Sequence, residues 1–223
     1  MIIHHSDAIM KIDEINRLRR EYKSGELQEE DLHSDPFKQF HAWFQDALSA
    51  DIDMADAMTL ATVSAAGIPS ARVVALRGYD NRGFVFYTNY RSDKAVDIAN
   101  NPHVALAFYW KELDRQVRIT GIAKKTSRLE SETYFSSRPV ESNFVQAVSH
   151  QSQVVHSKDI IQKRIDTIRK THQGDTLHCP PHWGGYRVSP TQFEFWQGGL
   201  KRLHDRLRYE RKNTSWVINR LEP

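Results

Sequence analysis

The sequence predicts an α+β protein, a mostly antiparallel sheet with helices placed around it rather than threaded between its strands. Three observations lead there. From Met58 to about Thr88 the chain reads TLATVSA, Ala66-Gly67, SARVVALRGY, Asp80-Asn81-Arg82-Gly83 and FVFYT, which is strand texture cut twice by turn residues. The runs HVALAFYW and RQVRITGIA follow, giving roughly five strands before residue 126. The last third, YRVSPTQFEFWQ, RLHDRLRYER and SWVINRLEP, alternates again, so helices and strands do not interleave regularly enough for a parallel doubly wound sheet.

Taken in order, Ile9 to Tyr22 reads as a helix, with Ile12, Ile15 and Leu18 at helical spacing and a narrow apolar face suited to loose docking. Ser34-Asp35-Pro36 announces a second helix: Ser34 or Asp35 can cap, Pro36 fits the first turn, and Phe37, Phe40, Phe44, Ala47 and Leu48 line a core face. The two turns between Met58 and Thr88 predict two successive hairpins forming a meander. A short helix is expected from Ser92 to Asn100. Helical texture returns from Ser127 to Ser137, where Arg138-Pro139 should stop it, and again from Lys158 to about Thr171. THQGDTLHCPPH is expected to be a loop.

The chain has 223 residues, 39% hydrophobic and 26% charged, the make-up of an ordinary globular protein with enough length for its own core; we read one domain over residues 1–223. Lys plus Arg is 31 and Asp plus Glu is 28, a formal +3, so nucleic acid is not expected as a partner and any anion specificity must be local. One cysteine, Cys179, excludes an internal disulfide and fits a reducing compartment. No apolar run nears the ~20 residues of a membrane span, and MIIHHSDAIM lacks the look of a secretory signal, so a cytoplasmic location is expected.

Nucleophile-elbow, phosphate-loop, dinucleotide and zincin motifs are absent from the sequence. His178-Cys179-x-x-His182 has chelating spacing, but Pro180 and Pro181 stiffen it and no further ligand cluster follows, so it reads as a loop and no metal is expected. In an extended RLHDRLRY, Arg202, His204, Arg206 and Arg208 share one face and Leu203, Leu207 and Tyr209 the other; the first set could meet an anion or simply face solvent. YFSSRP places Tyr134 and Arg138 one helical turn apart with Ser142 nearby, a grouping that suits a phosphate, although Arg138 could merely complement a helix dipole. Arg72 and Arg77 fall on opposite faces of an ideal strand, so one ligand meets both only near a bend. Gln116, Gln151-Ser152 and Trp196 are groups able to orient a planar heterocycle, or equally a strand edge, a loop and a core ring.

Eleven blocks, in this order, resemble the pyridoxine 5'-phosphate oxidase family, also called pyridoxamine 5'-phosphate oxidase. They are RREY at 19–22, ATVSAAG at 61–67, RVVALR at 72–77, GFVFYTN at 83–89, NPHVALAFYW at 101–110, RQVRITG at 115–121, YFSSRP at 134–139, QS at 151–152, WGGYRVSP at 183–190, EFWQGG at 194–199 and RLHDR at 202–206. The resemblance implies an FMN-binding split β-barrel that works as a homodimer and oxidises pyridoxine or pyridoxamine 5'-phosphate to pyridoxal 5'-phosphate, reducing oxygen to hydrogen peroxide. It implies that Arg72, Val73, Arg77, Tyr87, Thr88, Lys94, Gln116, Gln151, Ser152, Trp196 and Arg206 hold FMN. It likewise implies that Arg19, Tyr22, Arg77, Tyr134, Arg138 and Ser142 bind the substrate, that Arg202 and His204 lie over its ring as the catalytic pair, and that residues 1–33 form a lid.

Two positions depart from the family pattern. Arg77 stands where a lysine is usual, and Ser92-Asp93-Lys94 replaces SRK, exchanging a cation for a carboxylate with Arg91 as a possible substitute. Two rival readings remain: a phenazine-type flavin oxidase, against which the Tyr134, Arg138 and Ser142 set speaks, and a non-enzymatic flavin or pyridoxal-phosphate carrier, which has no use for Arg202 and His204.

Overall fold

The computed structural model describes residues 16–17, 21–22, 25–171 and 177–223. Nine strands form one antiparallel sheet: β1 (Ala57–Val63), β2 (Pro69–Ala75), β3 (Gly78–Asp80), β4 (Gly83–Asn89), β5 (His103–Trp110), β6 (Arg115–Lys125), β7 (Trp183–Gln197), β8 (Asp205–Lys212) and β9 (Ser215–Arg220). Among the described residues five α-helices accompany them: α1 (Pro36–Ser49), α2 (Asp93–Asn100), α3 (Arg128–Ser137), α4 (Val140–Val148) and α5 (Lys158–Thr171). No helix among the described residues is long and apolar enough to cross a membrane.

Both expected hairpins form. Gly67, at φ 79, supplies the left-handed turn residue between β1 and β2, and its N–H bonds Ser64 O at 2.9 Å. Asp80 to Gly83 turns β3 into β4. The expected meander does not: the sheet order is β2-β1-β5-β6-β7-β4-β3, so the two hairpins lie at opposite edges. Only Leu76 and Arg77 link β2 to β3. So short a tether brings the two edges of the sheet together without a ladder between them, and the sheet curls into a barrel that is split there.

β7 carries a second split. Along one side it follows β6; along the other it pairs with β4 through Val188 and with β8 from Gln192 onward. Pro190, which has no N–H to offer a ladder, lies between the two partners. Opposite it the β6 register slips at Thr120/Gly121, where a Cβ on Gly121 would lie 2.4 Å from Ser189 O.

α1 plugs the barrel. The Asp35 carboxylate accepts the Phe37 N–H, and Pro36 opens the first turn. Its buried face is Pro36, Gln39, Phe40, Trp43 and Ala47. That corrects the expected stripe: Trp43 takes the inward place, and Leu48 is 50% exposed. Phe40 contacts the rings of Phe44, Tyr79, Phe84, Phe108 and Trp110, so helix and sheet share one aromatic core. α4 was not expected. Pro139 ends α3, with Arg138 extended before it as a pre-proline residue must be, and then serves as the N-cap of α4.

Candidate functional site

The candidate residues gather at the two ends of β7. At its start, the rings of Tyr87 on β4 and Tyr134 on α3 stack with centroids 3.9 Å apart, and Trp183 lies nearly parallel to Tyr87 at 5.4 Å. The Arg138 guanidinium sits 5.0 Å above Trp183 and donates to Asn143 Oδ1 at 3.3 Å. Together with Arg77, Thr88, Gln146 and Gln151, these rings line a cavity of about 220 Å³ that no carboxylate enters. Arg77 occupies the bend between β2 and β3 and is held by Asp56 at 2.6 Å. Burial raises the Tyr87 hydroxyl to about 12, so the phenol remains a neutral donor.

A cationic cradle adjoins this cavity. Thr88 Oγ1 donates to Gln151 Oε1 at 3.2 Å, and the Asp93 N–H donates to Ser152 Oγ at 3.2 Å, strapping the Gln151-Ser152 loop to β4 and α2. Lys94 Nζ lies 3.4 Å from both Thr88 Oγ1 and Ser92 Oγ. Burial first, and the Arg72 guanidinium second, pull the Lys94 pKa below the lysine range, with Asp93 opposing in part. Arg72 binds only neutral groups, the hydroxyls of Thr62 and Ser70 at 2.6 Å each and two carbonyls. Two neighbouring cations hydrogen-bonded only to neutral partners have chemistry suited to an anion, which would relieve their mutual repulsion. Asp93 is exposed, and so is Arg91, which lines a separate cavity with His150 and His182.

At the other end of β7, Gln116, Trp196 and Arg206 stand directly opposite one another across β6, β7 and β8. Their neighbours Val117, Phe195 and Leu207 are fully buried on the inner face, so this row faces out of the barrel. Arg206 Nε donates to the buried Glu194 carboxylate at 3.0 Å. His204 packs against Trp196 at 4.8 Å and edge-on to Tyr22 at 5.0 Å, and the Arg202 guanidinium lies 5.6 Å over the Tyr22 ring.

His204 is held in one tautomer. The Gly199 N–H donates to its Nδ1 at 3.1 Å, which leaves the proton of the neutral ring on Nε2. Burial, then the Arg202 charge, lower its pKa below 6.5 against the pull of Asp205. The turn that arranges this requires glycine: a Cβ at Gly199 would lie 1.8 Å from Leu203 O, while Lys201 and Arg202 take φ of 52 and 67.

The strand expected to run through Arg202 and His204 needs correction. Arg202 and His204 do not share a strand face with Arg206 and Arg208, because β8 begins at Asp205 and the pair sits in the preceding turn. Leu203 accordingly leaves the set it was expected to share with the buried Leu207 and Tyr209, and is 74% exposed. Ser142 lies in the first turn of α4, one turn before the cavity-lining Gln146. Val73 is 66% exposed on β2 and joins neither group. Arg19 and most of both the expected first helix and the 1–33 segment lie outside the described residues.

In the His178-Cys179 loop, the Cys179 thiol lies 3.6 Å from Trp183 O and His182 Nε2 lies 3.3 Å from Gln146 O. Among the described residues no group of three His, Cys, Asp or Glu could hold a metal. Trp183 and Gln146 were missed as site residues. The i to i+4 step from Ser142 to Gln146 is the available signal for Gln146, and it is readable only once a second helix is seen to follow Pro139.

Comparison with known proteins gives consistent matches. Residues 44–172 match the family described as pyridoxamine 5'-phosphate oxidase, and residues 183–223 match the pyridoxine 5'-phosphate oxidase C-terminal dimerisation region. The chain is 47% identical over 209 residues to a pyridoxine/pyridoxamine 5'-phosphate oxidase of Acaryochloris marina, covering 94% of this chain and 95% of that one. It is 50% identical over 209 residues to a protein of the same name from Burkholderia orbicola, at 92% and 97% coverage. Among solved structures, PhzG from Burkholderia lata, crystallised with tetrahydrophenazine-1-carboxylic acid, superposes with a TM-score of 0.84 at 30% identity, covering 90% of this chain and 99% of that one. A Nostoc punctiforme protein described as related to pyridoxamine 5'-phosphate oxidase and FMN-binding shares the fold, at a TM-score of 0.69, 16% identity, and coverage of 86% and 100%.

Proposed function

The chain belongs to the pyridoxamine 5'-phosphate oxidase family, and from that premise we propose that it binds FMN and oxidises pyridoxine or pyridoxamine 5'-phosphate to pyridoxal 5'-phosphate, with oxygen reduced to hydrogen peroxide. The observation that carries this reading is the carboxylate-free cavity in which Arg77 and Arg138 converge beside the Tyr87, Tyr134 and Trp183 rings. Two guanidiniums beside stacked rings suit an aromatic ring bearing a phosphate.

The adjoining donors fit a flavin nucleotide. Arg72 and Lys94 would hold its phosphate, Thr88, Gln151 and Ser152 would secure that end, and Gln116, Trp196 and Arg206 would face the ring system. Bound there, FMN supplies the two-electron acceptor that oxygen reoxidises. The chain's own residues do the rest. Arg138, Tyr134 and Ser142 anchor the substrate phosphate; His204 offers its Nε2 proton as a fixed donor; Arg202 holds positive charge against the substrate ring; Tyr22 covers the pair and keeps water out.

The two groups lie thirteen residues apart on β7, about 40 Å along an extended strand. One small ligand does not reach both ends. A homodimer joins the cationic end of one subunit to the Arg202 and His204 end of its partner, and the match to a dimerisation region supports this arrangement.

The likeness to PhzG favours one alternative, oxidation of a tricyclic phenazine precursor. The size of the cavity and its paired guanidiniums favour the smaller phosphate ester. Incubating the FMN-loaded protein in air with pyridoxine 5'-phosphate, and separately with the unphosphorylated vitamin and a reduced phenazine carboxylate, tests the reading. Pyridoxal 5'-phosphate and peroxide should form in equal amounts from the first alone; turnover of the phenazine in its place would sink the proposal.

A further inference from the structure

Arg72 is aimed by a buried relay. It projects from edge strand β2 beside β1, where its Nη1 donates to Thr62 Oγ1 at 2.6 Å. Thr62 is fully buried, and its single hydroxyl proton goes to Asp97 Oδ2 on α2 at 2.7 Å. The carboxylate therefore fixes the polarity of the chain. With its proton committed to Asp97, the hydroxyl can present only lone pairs to the guanidinium. Asp97 lies one helical turn beyond Lys94, so the helix that places one cation of the cradle also carries the carboxylate that orients the other.

A hydroxyl inserted between carboxylate and guanidinium has a consequence that a direct ion pair would not. A carboxylate paired with Arg72, as Asp56 is with Arg77, would offset part of the charge that an incoming anion meets, whereas a neutral hydroxyl orients the guanidinium and leaves its full charge available. Ser70 does the same on the other side, its Oγ accepting from Nη2 at 2.6 Å.

We propose that Thr62 and Asp97 are positioning residues for the phosphate of the flavin nucleotide, acting through Arg72. The inference rests on the FMN reading above and extends it to two side chains that touch no ligand.

The test is flavin binding to the apoprotein, measured by fluorescence quenching with FMN and, in parallel, with riboflavin, which lacks the phosphate. Thr62→Val keeps the shape of the side chain and removes the relay; it should weaken FMN about 10- to 100-fold and leave riboflavin unchanged. Thr62→Ser should restore FMN affinity to near the parent value. Asp97→Ala, which leaves Thr62 in place, should reproduce the FMN-selective loss. In an Arg72→Met background, Thr62→Val should have no further effect. Equal weakening of FMN and riboflavin, or an unchanged FMN affinity in Thr62→Val, overturns the relay. A parent protein that binds neither flavin overturns the underlying FMN reading instead, so the two failures are separable.

Discussion

At the scale of single residues, the proposed function gives Arg138 and Arg202 separable duties. Arg138 lines the carboxylate-free cavity, so Arg138→Ala should raise KM for the phosphorylated substrate about 10- to 100-fold, the loss of one charge-assisted bond, with a smaller effect on kcat. Arg202 sits in a strained turn beside His204, and Arg202→Ala should lower kcat on the order of a hundredfold while FMN affinity holds. Steady-state kinetics on both variants checks the division. His204 offers a second observable. Because burial and Arg202 depress its pKa, the folded protein keeps the ring neutral below pH 6.5, where the unfolded chain already takes up a proton. The stability this contributes is present above pH 6.5 and is lost as pH falls through the folded value. An NMR titration should place the His204 midpoint below 6.5 and move it upward in Arg202→Ala; an unmoved midpoint would show that the Arg202 charge does not reach the ring.

At the scale of elements, α1 is the plug on which the barrel depends. Phe40 is fully buried among five aromatic rings, and Phe40→Ala should cost about 3–5 kcal/mol in chemical denaturation, since a barrel closed by a covalent link has little freedom to collapse onto the void. Elements were also the scale at which the sequence was most legible. Asp35-Pro36 marks the start of α1 because capping is a local interaction, and Gly67 marks its hairpin because a left-handed φ favours glycine. What local pattern could not show was long-range. RVVALRGY reads as one strand, yet Leu76 and Arg77 break it into opposite edges of the sheet, because closure of the barrel is decided by partners distant in sequence. Pro139 reads as a stop, and it is also a start, since proline ends one helix and suits the opening of the next. RLHDR reads as strand until the turn after Gly199, where the backbone passes so close to Leu203 O that no Cβ fits at Gly199.

At the scale of the whole molecule, the proposed function assigns complementary halves of a site to the two ends of β7. The sequence marks Tyr134, Arg138 and Ser142 as a phosphate-suited group and Gln116 and Trp196 as groups able to orient a heterocycle, but local pattern leaves each with a bland reading, and only the pairing of β6, β7 and β8 sets Gln116, Trp196 and Arg206 in one outward row. If each site takes one half from each subunit, two defective variants should complement. Dissociating and remixing Arg138→Ala with Arg202→Ala should form heterodimers with one intact site, restoring roughly a quarter of parent activity in a random mixture. A site contained within one chain would give no recovery.

Coupling of a phosphorylated vitamin to a bound flavin is read most directly in the visible spectrum of the FMN-loaded protein titrated anaerobically with pyridoxine 5'-phosphate. The flavin band should bleach with one pyridoxal 5'-phosphate formed per flavin and return on admitting air. A band that substrate leaves unchanged, with FMN demonstrably bound, would contradict it and leave a flavin carrier in its place.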